Sequence, residues 1–121
     1  AREFDAGDDY PPIIAVAARS LAQDLKEGRD AKAIILGASG QGEAIVANRF
    51  AGVRAAVYYG GQPEIIRLSR EHNDANVLSL GARFLSIDEA KKAVQEWLMT
   101  PPSKDDRHMR RISEIETIVQ L

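Results

Sequence analysis

At 121 residues the chain is long enough for a single domain with its own core, and its 45% hydrophobic content is ordinary for a globular protein. A net charge of -2 argues against the basic face that a nucleic-acid partner needs, and no apolar run approaches the roughly 18 residues of a membrane helix. With no cysteine, disulfides, thiolate catalysis and Cys-ligated metals are excluded; with only His72 and His108, a histidine metal cluster has too few ligands. The expectation is a cytoplasmic protein with no metal and no cofactor.

Ala1 to Gly7 reads as an irregular, charged lead-in. Asp8-Asp9-Tyr10-Pro11-Pro12 carries helix-start chemistry, since an Asp can cap and a proline fits the first helical turn. Ile13, Ile14, Ala17, Ala18, Leu21 and Leu25 recur at helical spacing, which predicts a helix over 11–26 ended by Gly28. Tyr10, just before the apolar face, reads by itself as an aromatic at the edge of the core.

Ala33-Ile34-Ile35-Leu36 is the stretch around which the rest is arranged. Four apolar residues in a row predict a fully buried strand of a parallel sheet, and the glycine-rich turn Gly37 to Glu43 opens a helix over about 42–50. Such a turn places backbone N–H groups and a helix N-terminus at the carboxyl edge of a sheet, where polar ligands and anions bind. The spacing is G-x-x-G-x-G, so neither the dinucleotide fingerprint nor the Gly-Lys-Ser/Thr phosphate loop is matched. Glu43 has two readings on this stretch alone. An acid in a first helical turn complements the macrodipole, worth about 0.3 to 1 kcal/mol, whereas a carboxylate aimed into the glycine pocket is a candidate general base.

Arg54 to Tyr59 reads as the next strand, broken by Gly60-Gly61, and Pro63 begins a helix that ends near Arg70-Glu71-His72-Asn73-Asp74. That polar cluster reads as a turn before the strand Val77-Leu78-Ser79-Leu80, closed by Gly81-Ala82-Arg83 at the carboxyl edge. Ser86 or Asp88 starts a helix carrying Ala90, Ala93, Val94, Trp97 and Leu98, stopped by Thr100-Pro101-Pro102-Ser103. The last helix, about 104–120, carries Ile112, Ile115, Ile118 and Val119 at helical spacing. Arg107 and Arg111 stand four apart on one of its faces, either as solvated charge or as a bidentate phosphate clamp.

Alternating helices and strands imply right-handed crossovers and a parallel sheet covered on both faces. The fold class expected is α/β: one domain over 1–121, a three-layer αβα sandwich with a Rossmann-like, doubly wound parallel sheet. Only three strands are visible, however.

Together, Asp9-Tyr10-Pro11, Gly37 to Glu43 with Ala47-Asn48-Arg49, Arg70 to Val77, Gly81-Ala82-Arg83 and Arg107-His108-Met109-Arg110-Arg111 resemble the type B ribose-5-phosphate isomerases. These form one group with the galactose-6-phosphate isomerase subunits. The stretches run in the family's order and nearly span the chain. The resemblance implies a metal-free aldose–ketose isomerisation of a five-carbon sugar phosphate through an enediol. One branch of this family uses a cysteine as the base between C2 and C1, another a glutamate at the end of the glycine loop. Gly37 stands at the cysteine position and Glu43 at the glutamate position, which favours the general-base reading of Glu43.

By the same resemblance, the N–H groups of Ala38, Ser39, Gly40, Gln41 and Gly42, with the Ser39 hydroxyl, face the developing enediolate. His72 assists furanose ring opening, Asn73 holds sugar hydroxyls, and Arg83, Arg107 and Arg111 form the phosphate clamp. Tyr10 and His108 line the same pocket. The clamp comes from a second subunit in this family, so a homodimer with shared sites is implied, with a tetramer as the alternative and the C-terminal helix packed on the partner. Family members also begin with a strand ending in Asp-His-Ala, then a helix and a second strand, and none of this precedes Ala1. The expectation is an N-terminally incomplete domain, exposing unpaired strand edges and inactive alone. The readings set beside ribose 5-phosphate isomerisation are the same chemistry on an allose, galactose or tetrose phosphate, and a sugar-phosphate-binding module without catalysis.

Overall fold

The computed structural model describes residues 7–118, so the rest of the lead-in and Val119 to Leu121 lie outside the described residues. The elements are α1 (Tyr10–Lys26), β1 (Ala33–Gly37), α2 (Gln41–Ala47), β2 (Ala55–Tyr58), α3 (Glu64–Asn73), β3 (Val77–Gly81), a 3-10 turn (Ala82–Phe84), α4 (Ile87–Met99) and α5 (Asp106–Ile118). Three parallel strands flanked by five helices make an α/β, Rossmann-like sheet, in the order β1-β3-β2.

The direction in which strands are added across the sheet reverses at β2, because β3 returns to lie between the first two strands. Right-handed crossovers then put the connecting helices on opposite faces. One face carries Ala18 and Leu21 of α1, Ala47 of α2, Ile35, Val53 and Val77. The other carries Ile66 of α3, Ala93 and Trp97 of α4, Leu78 and Leu80.

The fully buried strand is β3, not β1. All five residues of β3 are buried, whereas Ile34 and Leu36 of β1 are exposed at 38% and 63%. The physical reason is position: among the described residues β1 is an edge strand, and α4 stops short of covering it. An open apolar groove lined by Ile34, Leu36, Leu80, Leu85, Val94 and Leu98 results. An uninterrupted apolar run marks a strand that has the composition for burial, and does not say which strand the neighbours cover.

Helix boundaries follow local chemistry. Asp9 is the N-cap residue of α1 in an extended conformation, with proline in the first turn. α2 ends sooner than its apolar periodicity predicts, because the Asn48 side chain leaves the helix to bridge both backbone groups of Ala55, donating to its carbonyl at 3.2 Å and accepting from its N–H at 2.8 Å. Of the two candidates for the start of α4, Ser86 is the cap. Its hydroxyl accepts from Glu89 N–H while Glu89 accepts from Ser86 N–H, a reciprocal capping box.

α5 lies on α3 of its own chain. Ser103 N–H donates to the Glu71 carbonyl at 3.0 Å, and the Glu116 carboxylate accepts from Gly52 N–H at 3.1 Å and from Arg54 Nη1 at 2.5 Å. Arg70, read in the sequence as part of a polar turn, is 3% exposed and structural. Its guanidinium donates to the Thr100 and Ala75 carbonyls and to the Asp74 carboxylate, and stands over the Trp97 ring at 5.6 Å.

Candidate active site

The loops after β1 and β3 leave adjacent strands and part to opposite faces, which opens a crevice at their carboxyl ends. In open α/β sheets this is where ligands bind. The first wall is Gly37 to Gly42. Gly40 takes φ +78° as the N-cap residue of α2, a left-handed conformation that glycine adopts without strain. Its close approach to β3 is a second reason for glycine: a Cβ there would press on the Leu80 and Gly81 backbone at 3.0–3.1 Å.

Three successive loop carbonyls are held against β3 and the turn after it. Ala38 O accepts from Arg83 N–H at 3.1 Å, Ser39 O lies against Gly81, and Gly40 O accepts the Ser79 hydroxyl at 2.6 Å. Every peptide bond here is trans, so each N–H points opposite to the carbonyl before it. The amides of Ser39, Gly40 and Gln41 therefore face away from the sheet, and Gln41 N–H donates to Ser39 Oγ at 3.2 Å. The first-turn N–H groups of Gly42 and Glu43 have no partner within their helix by geometry. This is a cluster of donors suited to negative charge.

Glu43 is 8% exposed, and its carboxyl group fills the space that a Cβ on Gly37 would take. The Tyr10 phenol similarly lies over Gly42, in the space of a Cβ there. Glu43, Tyr10 and the loop thus share one place, at the carboxyl end of β1. Arg83, in the turn after β3, is tied to the same loop through its backbone.

The other expected site residues stand elsewhere. His72 and Asn73 end α3, and the Asn73 carbonyl accepts from Arg54 Nε at 2.9 Å immediately before β2 begins. That is the amino edge of the sheet. The His72 and His108 rings stack with centroids 4.3 Å apart, which fixes Arg107 and Arg111 of α5 to the same end. The five residues of β3 separate the two edges by about 13 Å at ~3.3 Å per residue. Within one chain, therefore, the expected residues form two groups: Glu43, Tyr10, Arg83 and the loop at one end, His72, Asn73, His108, Arg107 and Arg111 at the other. The three arginines do not form one clamp within the chain, because Arg83 follows β3 while Arg107 and Arg111 sit beside the segment that precedes it.

Sequence reasoning missed Ser79, which it counted as part of an apolar run. The signal was there: a hydroxyl inside a buried strand needs a partner. Among the described residues no group of three His, Asp or Glu is placed to hold a metal ion, and no helix is long and apolar enough to cross a membrane.

Comparison with known proteins places these features in a family. The Ribose/Galactose Isomerase family matches residues 2–115. A ribose-5-phosphate isomerase B of Mycolicibacterium paratuberculosis is 42% identical over 113 residues, covering 93% of this chain and 67% of the relative. The Escherichia coli ribose-5-phosphate isomerase B is 37% identical over 112 residues, covering 93% and 70%. The chain thus spans about two thirds of the length of these relatives. Among solved structures, Mycoplasma genitalium ribose-5-phosphate isomerase B with bound ribulose 5-phosphate superposes with a TM-score of 0.87 at 32% identity, covering 99% of this chain and 75% of that one. The Trypanosoma cruzi type B enzyme gives 0.83 at 34%, covering 93% and 71%. With the glycine loop, the buried glutamate and the three-stranded parallel sheet all in place, the chain belongs to the ribose/galactose isomerase family.

Proposed function

We propose that this protein interconverts ribose 5-phosphate and ribulose 5-phosphate in the cytoplasm, through an enediol, with Glu43 as the base. The observation that carries this reading is the buried Glu43 carboxyl group over Gly37, beside a loop whose amides face outward. A carboxylate beside C2 takes the proton from that carbon as the carbonyl gains negative charge, and returns it to C1. The loop donors stabilise the charge that develops on oxygen, where preorganised N–H groups lower a barrier most effectively. The names of the curated relatives, and the ribulose 5-phosphate in the Mycoplasma genitalium structure, support this substrate.

The two-ended distribution of residues supports a shared site. In a twofold-symmetric homodimer the Glu43 end of each chain meets the His72 end of the other, and symmetry builds two equal sites. His72 then assists ring opening, Asn73 holds sugar hydroxyls, and Arg107 and Arg111 join Arg83 of the opposite chain around the phosphate with paired donors. Tyr10 and His108 line the pocket from its two sides.

The test is ketose formation from ribose 5-phosphate by the wild-type protein carrying the family's N-terminal strand, helix and strand, and by Glu43→Gln in the same form. Turnover that collapses in the variant supports the reading. No turnover by the wild type, or turnover of another sugar phosphate alone, rejects the proposed substrate.

A further inference from the structure

The geometry points to Ser79 as a positioning residue for the loop that receives the enediolate, a role that rests on the isomerase reading above. Ser79 is fully buried in β3, the strand at the centre of the described sheet, and is the polar member of Val77-Leu78-Ser79-Leu80-Gly81. A hydroxyl in that place is costly unless it is hydrogen-bonded. Its Oγ donates to the Gly40 carbonyl at 2.6 Å, across a sequence separation of 39 residues.

That carbonyl is the pivot of the loop. It also accepts Ala44 N–H at 3.1 Å, so a strand and a helix converge on one oxygen. Fixing the oxygen fixes the Gly40–Gln41 peptide plane, and a planar trans peptide then sends Gln41 N–H in the opposite direction. Gln41 N–H donates to Ser39 Oγ, which leaves the Ser39 hydroxyl hydrogen free to be donated outward. The chain of consequence runs from Ser79, through one peptide plane, to the hydroxyl and amides that face the crevice.

Without the Ser79 bond this peptide is held on its carbonyl side by a first-turn helix bond alone. Gly40 has the conformational freedom to let it rotate. A rotated peptide breaks the Gln41 N–H bond to Ser39 Oγ and so loosens the hydroxyl that is to be donated to the enediolate. The loss then falls on the transition state rather than on substrate binding, because charge on the substrate oxygen develops only during the reaction.

The experiment is steady-state kinetics on ribose 5-phosphate with Ser79→Ala and Ser79→Thr in the form that carries the family's N-terminal strand, helix and strand, at a temperature where circular dichroism shows each variant folded. Ser79→Ala lowers kcat roughly tenfold or more, changes KM less than about twofold, and speeds amide hydrogen exchange at Gln41; Ser79→Thr, which keeps the hydroxyl, recovers most of kcat. If Ser79→Ala does not fold, Ser79→Cys, close in size and a poor donor, is read by the same criteria. A kcat within twofold of wild type in the variant lacking the hydroxyl overturns the role, as does an equal loss in Ser79→Thr, which would mark a packing effect. A wild type that is itself inactive on ribose 5-phosphate fails the isomerase reading instead, and in that case Gln41 exchange decides the positioning role: unchanged exchange in Ser79→Ala overturns it.

Discussion

The Glu43 carboxyl group and a side chain at position 37 compete for one volume, because a Cβ built on Gly37 overlaps that carboxyl. The glycine is therefore a requirement of the glutamate. Gly37→Ala should displace the carboxyl group and lower kcat at least tenfold while the sheet still forms. Glu43→Gln keeps size and hydrogen bonding and removes the proposed base, so kcat should fall by roughly 10² to 10⁴ with KM little changed. Rates of ketose formation check both, and near-normal kcat in Glu43→Gln would mean that another group moves the proton.

Arg107 and Arg111 stand exposed on α5, beside the stacked histidines. In the proposed shared site they would bind phosphate in ground and transition states alike. Arg107→Ala should accordingly raise KM about tenfold or more with a small effect on kcat. An unchanged KM would make these arginines surface charge.

α5 is held at one end by Glu116, through Gly52 N–H and Arg54 Nη1. The pair is partly buried, at 17% and 32% side-chain exposure, so it is screened less than a surface ion pair. Glu116→Ala should destabilise the protein by about 1–2 kcal/mol, the range of a charge-assisted hydrogen bond left partly unsatisfied. Chemical denaturation measures this, and α5 amides should exchange faster than those of β3 in the same variant.

The start of α5 should respond to acid pH. Arg107 N–H donates to the Asp105 carboxylate at 2.8 Å, and this bond, with the nearby Arg107 and His108 charges, holds the Asp105 carboxyl below its ordinary value. A carboxyl depressed on folding stabilises fully above its unfolded pKa and loses that contribution as pH falls through the lower folded value. Fraying of the first turn of α5 should begin only in the acid range below the ordinary carboxylate pKa, and Asp105→Asn should remove the pH dependence there. Amide exchange at Arg107 across pH 2 to 5 tests it.

Much of the fold was legible because its elements are locally marked. Pro11 and Pro12, Gly28 and Gly60-Gly61 fix helix and strand starts and stops with chemistry a few residues long, and Ser86 was one of two candidates for the start of α4. What local pattern could not carry was strand order. Ala33 to Leu36 is more apolar than its neighbours among the described residues require, and only the return of β3 between β1 and β2 shows which strand those neighbours enclose. The two-ended site had the same origin. His72 and Glu43 both flank glycine- or polar-rich turns, but α3 runs antiparallel to the strands, so its last residues reach the opposite edge from the glycine loop. Ser79 was hidden by its neighbours, since one hydroxyl among Val77, Leu78 and Leu80 does not interrupt an apolar run.

The most direct test of the account mixes two inactive variants. Glu43→Gln and His72→Ala are each combined with their own kind in separate samples, then unfolded, mixed in equal amounts and refolded. If each site draws Glu43 from one chain and His72 from its partner, half of the dimers are mixed. Each mixed dimer carries one site with both lesions and one with neither, so activity returns to about a quarter of wild type. Recovery near that value on ribose 5-phosphate is the predicted result. Activity no higher than the average of the two variants would contradict the shared site and place all the chemistry within one chain.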